Sequence, residues 1–371
     1  MNNKKKFFIF WLILIFITPL VYLSFDFFIS KIIVKNEKSL EKKESKQYWR
    51  KSHPVYHHTF EANIDVVQDN GKFGKSKIFT NSLGFRDKEV RKIKLNKDKH
   101  RIVFIGDSFT EGVLLNYENT FVGIIDKELS NYNIETLNAG VTSYNPSIYY
   151  TKTKYFIDKK FQFDELVVFI DISDVQDEAL DYKIENSIVK LRKKKKPKKN
   201  IIDFLKKNFF VTYSIANFIH DTFVPTVNKE DISYDEFIKF IVSDKYKTDK
   251  WTIDKDLFKK YEIGLERNLK HMKLLKKLCD DNNIKMTIAV YPWFSQIYHD
   301  DLDSLHVKIW SDFSKKNNIN FINYFPYFFK KNLNLEERIK IIKKYYIPFD
   351  IHFNSKGNER IAEVFLQKYL K

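Results

Sequence analysis

The longest apolar stretch of the chain comes first. Phe7 to Leu23 form an almost unbroken hydrophobic run that continues through Phe25, Phe27, Phe28 and Ile29, and Asp26 is the one charged residue inside it. About 20 apolar residues in a helix match the hydrocarbon thickness of a bilayer. Pro19 is tolerated in such a helix. A cleaved signal peptide has a shorter apolar core and ends at a small-x-small site. The sequence Ser24-Phe-Asp-Phe-Phe-Ile-Ser30 fits that poorly, so the pattern favours an uncleaved, single-pass anchor. Lys4, Lys5 and Lys6 argue for a cytoplasmic N-terminus and an extracytoplasmic body. Lys31, Lys35, Lys38, Lys42 and Lys43 reduce that asymmetry. Residues 1–30 thus read as a cytoplasmic tail and transmembrane anchor, and 31–74 as a stalk and lead-in.

Beyond the stalk the pattern changes. Five short apolar runs, Arg101–Ile105, Ile134–Leu137, Leu166–Ile172, Met286–Tyr291 and Asn320–Tyr324, are rich in Val, Ile and Phe and show little alternation. Strands buried on both faces of a parallel sheet have this character. Amphipathic stretches such as Thr120–Leu129 and Leu257–Leu278 lie between them. The βαβα order predicts a doubly wound, three-layer α/β domain over residues 75–371. One interval, at about 177–254, shows no clear strand. It begins with the basic run Arg192-Lys-Lys-Lys-Lys-Pro-Lys-Lys199 and continues into a Phe-rich helical region. It reads as an insertion, a solvated basic loop followed by helices, with a lid as the alternative.

Composition adds limits. Of 371 residues, 43% are hydrophobic and 30% charged, which places the chain among globular proteins. The net charge of +17 comes from Lys spread along the chain, and no nucleic-acid recognition motif accompanies it. The single cysteine, Cys279, excludes an intrachain disulfide and a multi-cysteine metal site, and its helical surroundings make it a core residue. His57 and His58 adjoin each other without a third ligand at metal spacing, and read as surface residues. His220, His271 and His299 are isolated. No metal or organic cofactor is implied.

The sharpest chemical signal is Ile102-Val-Phe-Ile-Gly-Asp-Ser-Phe-Thr-Glu-Gly112. A buried strand ends in Gly106-Asp107-Ser108, where ligands bind in a parallel α/β sheet. Gly106 permits the turn that exposes Ser108, and a helix beginning there aims N–H groups at an oxyanion. The second signal is Pro348-Phe-Asp-Ile-His-Phe-Asn-Ser-Lys-Gly357, before a C-terminal helix. A serine needs an adjacent base to act as nucleophile. His352 can be that base, and Asp350 can orient its ring. Tyr291-Pro292-Trp293 follows a strand end and either lines the pocket or packs beneath it.

In this order the motifs resemble the SGNH (GDSL-like) hydrolase superfamily, over roughly residues 75–371 without the insertion. Thr80-Asn-Ser-Leu-Gly-Phe-Arg-Asp87 looks like the lead-in of its membrane-associated members. The resemblance implies that Ser108 is the nucleophile and an oxyanion donor, with Gly106 and Asp107 as support. It implies that Gly140, in Asn138-Ala139-Gly140, supplies the next backbone donor, and that Asp350 and His352 are orienter and base. The third block departs from the family's Gly-x-Asn-Asp. Here it reads Asp171-Ile172-Ser173-Asp174, so Ser173 stands where the oxyanion asparagine belongs and Asp174 keeps the acidic position. The Asp-x-His spacing is shorter than the commoner Asp-x-x-His, and similar to that of polysaccharide O-acetyltransferases. The expectation is an acyl-ester hydrolase or O-acetyl transferase working through a Ser108 acyl-enzyme. Its substrate is an acyl ester or cell-envelope glycan. A non-catalytic glycan-binding or scaffolding protein is the alternative.

Overall fold

The structure, a computed structural model, describes residues 3–44, 49–192, 201–223, 232–243 and 249–371. The chain forms two units: Met1–Gln47 with Lys194–Ile232, and Tyr48–Lys193 with Ser233–Lys371.

The first unit is helical. One helix spans Asn3–Glu44, and its stretch Lys5–Ile33 is long and apolar enough to cross a membrane. Phe7, Phe16, Leu20 and Phe28 are exposed along it. Two helices from the insertion, Ile201–Asn208 and Phe210–Phe223, pack against it. Apart from Arg192, the basic run Arg192–Lys199 lies outside the described residues.

Among the described residues, the second unit has twelve strands. These are β1 (Arg50–His53), β2 (His57–Phe60), β3 (Asp65–Asp69), β4 (Lys75–Thr80), β5 (Arg86–Asp87), β6 (His100–Ile105), β7 (Ile134–Asn138), β8 (Glu165–Ile170), β9 (Tyr182–Glu185), β10 (Ile188–Leu191), β11 (Lys285–Val290) and β12 (Asn320–Asn323). Eight of them form one sheet in the order β12-β11-β8-β6-β7-β5-β4-β3. The five strands read from the apolar runs are its parallel part. They start or end within a residue or two of the runs. All six residues of β8 are buried, as a central strand covered on both faces requires. Phe104 and Phe169 turn to one face, where Phe104 meets Phe121 and Phe365 of the helices Phe121–Ser130 and Ser355–Tyr369. A second group packs together, comprising Pro146–Asp158, Asp174–Leu180 and the 27-residue Lys255–Asp281. Several of these helices begin at a side-chain cap. Thr120 caps one by accepting the Gly123 N–H, and Asp254 caps the longest by accepting from Asp256 and Leu257.

The structure differs from the sequence reading in three places. The sheet is mixed: β5, β4 and β3 extend it antiparallel beyond β7. The segment read as stalk and lead-in already contributes β1, β2 and β3. These strands are short, polar and half-exposed, and so carry little hydrophobic pattern. The insertion, read as strandless, opens with the hairpin β9–β10, turned by Asn186 and Ser187 at φ 52° and 63°. Residues 233 onward already belong to the α/β unit. Cys279 is fully buried, and burial pushes its thiol up to about 12.

Candidate active site

β6 leads into Ser108. Its residues from Arg101 to Ile105 are buried, and the chain then passes through Gly106, where nothing larger fits. An added Cβ would lie 2.1 Å from Thr110 Oγ1 and 2.9 Å from the Phe169 carbonyl oxygen. Asp107 caps the next turn, accepting the Phe109 N–H at 3.0 Å. Ser108 is therefore the first residue of a four-residue helix, Ser108–Glu111, which Gly112 ends at φ 76°. Arg86, fully buried, donates to the carbonyls of Glu111 (2.6 Å), Gly112 and Leu115, placing positive charge at the carbonyl end of this turn. Burial lowers its guanidinium to about 10, with Glu111 opposing.

His352 arrives from the other end of the chain. Before the last helix, the Asp350 N–H donates to Ile347 O at 3.1 Å and the Ile347 N–H to His352 O at 2.9 Å. Phe349 takes φ 64° to close this turn. One oxygen of Asp350 accepts both the backbone N–H of His352 (2.9 Å) and its Nδ1 (2.5 Å). The two-residue spacing makes that double contact with a single carboxylate. With Nδ1–H bound to Asp350, Nε2 is left as the acceptor, and it faces Ser108 Oγ at 2.8 Å. The ring of Phe109 lies 4.8 Å from the imidazole, centroid to centroid. Burial works against the Asp350 charge. The His352 hydrogen bond, the His352 charge and the backbone N–H groups outweigh it and hold the carboxyl below the usual range. Asn354 fixes the following helix by accepting the Gly357 N–H at 3.1 Å.

Around Ser108 the polar groups are already partnered. The Ser108 N–H opens a helix and has no acceptor among the described residues. The Gly140 N–H donates to Asn138 Oδ1 at 3.0 Å, and Asn138 in turn donates to Thr110 O at 2.7 Å. The Ser173 hydroxyl donates to Asp171 Oδ1 at 2.6 Å, and its N–H to the same oxygen at 2.7 Å. The other Asp171 oxygen accepts Tyr291 Oη and Trp293 Nε1, both at 2.7 Å. The residue that replaces the family's glycine is thus a buried carboxylate with four donors. It ties the turn after β8 to Tyr291-Pro292-Trp293 after β11. Asp107 lies 3.2 Å from both Ser108 Oγ and Tyr291 Oη, whose single hydrogens have shorter partners in His352 Nε2 and Asp171. Burial, then the charge of Asp171, push its carboxyl well above the ordinary range. Asp174 is raised in the same way and accepts Tyr149 Oη at 3.1 Å.

Two contributors carried no motif. Glu111, 2% exposed, accepts the Thr142 N–H (2.7 Å) and hydroxyl (2.8 Å) and a bidentate pair from Arg50. This clamp fastens the loop after Gly140 to the Ser108 helix. Arg50 lies in the segment read as stalk. A buried glutamate three residues after the serine demands a cation, which was the available signal. His57 and His58 are not surface residues: both are half-buried, with His58 Nε2 2.7 Å from Thr142 O. Burial pushes the His58 ring down to about 4. His271 meets Glu178 at 3.1 Å, and the His220 side chain lies outside the described residues. No cluster of metal-ligating side chains occurs among the described residues.

No family model and no curated protein matches the chain. It is similar to solved structures of lipolytic and esterase proteins. A putative lipolytic protein of the G-D-S-L family from Desulfitobacterium hafniense is 15% identical, with 72% of this chain and 98% of that chain covered and a TM-score of 0.38. A catalytic mutant of an acetylxylan esterase from Geobacillus stearothermophilus is 11% identical, covering 74% and 96%, with a TM-score of 0.38. A G-D-S-L family lipolytic protein from Veillonella parvula is 12% identical, covering 73% and 99%, with a TM-score of 0.40.

Proposed function

We propose that this chain is a membrane-anchored serine ester hydrolase or O-acyl transferase of the SGNH type, with its catalytic unit outside the cytoplasm. The observation that carries the reading is the continuous relay Ser108 Oγ–His352 Nε2–Asp350 at 2.8 and 2.5 Å, beyond the C-terminal end of β6. A serine is an effective nucleophile when a neutral imidazole takes its proton and a carboxylate holds the imidazole.

In the first half-reaction Ser108 Oγ bonds to the ester carbonyl carbon while its proton passes to His352 Nε2. The carbonyl oxygen becomes an oxyanion at the Ser108 N–H. Collapse breaks the carbon–oxygen bond to the alcohol, which leaves with the proton from His352. In the second, water or a sugar hydroxyl attacks the acyl-enzyme, gives its proton to His352, and Ser108 leaves with that proton. The acyl group is small, such as acetyl, and the long apolar N-terminal helix supports a substrate in the cell envelope.

A specific observation also favours a second reading, a glycan-binding protein with little turnover. Gly140 and Ser173 spend their donors on Asn138 and Asp171, which leaves Ser108 N–H as the oxyanion contact without a resting partner. Hydrolysis of p-nitrophenyl acetate by the purified chain separates the two. Catalysis lost in both Ser108→Ala and His352→Ala, with melting temperatures retained, is the expected result. Turnover that survives either substitution refutes the enzyme reading.

A further inference from the structure

Asp26 is the charge that interrupts the apolar N-terminal run, and its contacts explain why it is there. Its carboxylate accepts the N–H of Val211 (3.0 Å), the N–H of Thr212 (2.9 Å) and the Thr212 hydroxyl (2.6 Å). One turn on, Ser30 accepts the Phe210 N–H at 2.5 Å and donates to Asp26 at 2.9 Å. The first three N–H groups of the helix Phe210–Phe223 are therefore satisfied by side chains of the membrane-spanning helix. Asp26 and Ser30 are both fully buried. An ionisable residue in an apolar span is costly and is retained where it has a partner. A backbone terminus within or beside lipid needs its N–H groups satisfied by protein.

The pairing also gives direction. Lys31 meets Asn208 at 2.7 Å, Phe27 meets Phe209, Asp26 meets Val211 and Thr212, and Tyr22 Oη meets Thr212 Oγ1 at 3.2 Å. Rising numbers on one segment pair with falling numbers on the other, so the helix Phe210–Phe223 starts antiparallel to the N-terminal helix. Past the contact the helix turns apolar side chains outward: Ile215 is 49% and Ile219 51% exposed, four residues apart on one face. Fourteen residues rise about 21 Å, too little for a hydrocarbon core of about 30 Å. The chain on both sides of 194–232 belongs to the α/β unit. A segment that enters the bilayer here leaves by the face it entered.

We propose that Phe210–Phe223 is a second, re-entrant membrane element, its Ile215–Ile219 face embedded in lipid acyl chains and its N-terminus held by Asp26. The inference rests on the reading of Lys5–Ile33 as a membrane span. The insertion is then a part of the anchor.

The test uses the full chain in phosphatidylcholine vesicles, with bimane attached to Phe16→Cys or Ile219→Cys. Cys279 is buried and stays unlabelled. Acyl-chain nitroxide lipids are expected to quench both probes, and aqueous iodide neither. Quenching at Phe16→Cys, with iodide reaching Ile219→Cys, overturns the inference while the span stands. A probe at Ile219→Cys shielded from both quenchers means that a second copy of the chain covers this face, and also overturns it. Iodide access at both positions removes the span itself. Asp26→Ala is expected to move the Ile219→Cys probe into iodide reach and leave Phe16→Cys unchanged, whereas Asp26→Asn, which keeps an acceptor, retains lipid quenching. Unaltered lipid quenching in Asp26→Ala contradicts the role of Asp26.

Discussion

At Ser108, the energetics turn on which groups are free to donate. Loss of a true oxyanion donor costs about 10²–10³ in turnover. The Ser173 hydroxyl has one hydrogen, and Asp171 holds it. Ser173→Ala is therefore expected to lower kcat on p-nitrophenyl acetate by less than about tenfold, the threshold below which an oxyanion role is excluded. A loss of a hundredfold or more means that the hydroxyl swings to the substrate during reaction. Asp350→Asn is expected to cost far more, on the order of 10⁴ in kcat, because an amide no longer fixes the imidazole tautomer. The same variant carries a pH signature. The folded-state carboxyl of Asp350 is depressed, so its stabilisation is present above the unfolded value of about 3.9 and is lost as pH falls through the folded value. Melting temperatures of wild type and Asp350→Asn are expected to converge below about pH 4 and to separate above it. A constant gap across that window removes the linkage. Ser108, His352 and Asp350 were legible because each is a reactive residue type in a short motif. Asp171 was legible as a departure only, since its four donors come from residues up to 122 positions away.

Between elements, what holds the site is a set of ties between loops. The Arg50–Glu111–Thr142 clamp joins β1, the Ser108 helix and the loop after β7. Breaking a buried pair by removing one partner costs about 3–5 kcal/mol, because the remaining charge is stranded. Arg50 is about a quarter exposed, so Arg50→Ala is expected near the bottom of that range, with a matching rise in KM as the Gly140 loop loosens. Chemical denaturation and steady-state kinetics read the two effects, and an unchanged midpoint would show that the clamp is ornamental. The parallel strands were readable because β6, β8 and β11 are buried on both faces and concentrate Val, Ile and Phe. The strands β1–β5, β9 and β10 were not. They are pieces of two to six residues in which polar and charged side chains are frequent, β5 being no more than the buried pair Arg86–Asp87, and their pairing comes from neighbours that the local pattern does not contain.

Taken as a whole molecule, the chain joins an α/β unit to a helical unit made from two distant segments. The sequence pattern showed the first segment, because a long apolar helix announces itself by length and hydrophobicity. It did not show the partner, because the helix Phe210–Phe223 is short and its meaning depends on Asp26, 185 positions earlier. The net charge of +17 has no nucleic-acid motif beside it, and the polar chemistry converges on one serine. That convergence is tested most directly by intact-protein mass after exposure to a fluorophosphonate and to p-nitrophenyl acetate, with the full chain in detergent and Ser108→Ala as control. An activated Ser108 gives a single adduct with each reagent, and neither adduct forms in Ser108→Ala. A folded wild-type chain that takes no adduct, or an adduct that persists in Ser108→Ala, would contradict the assignment of Ser108 as the nucleophile.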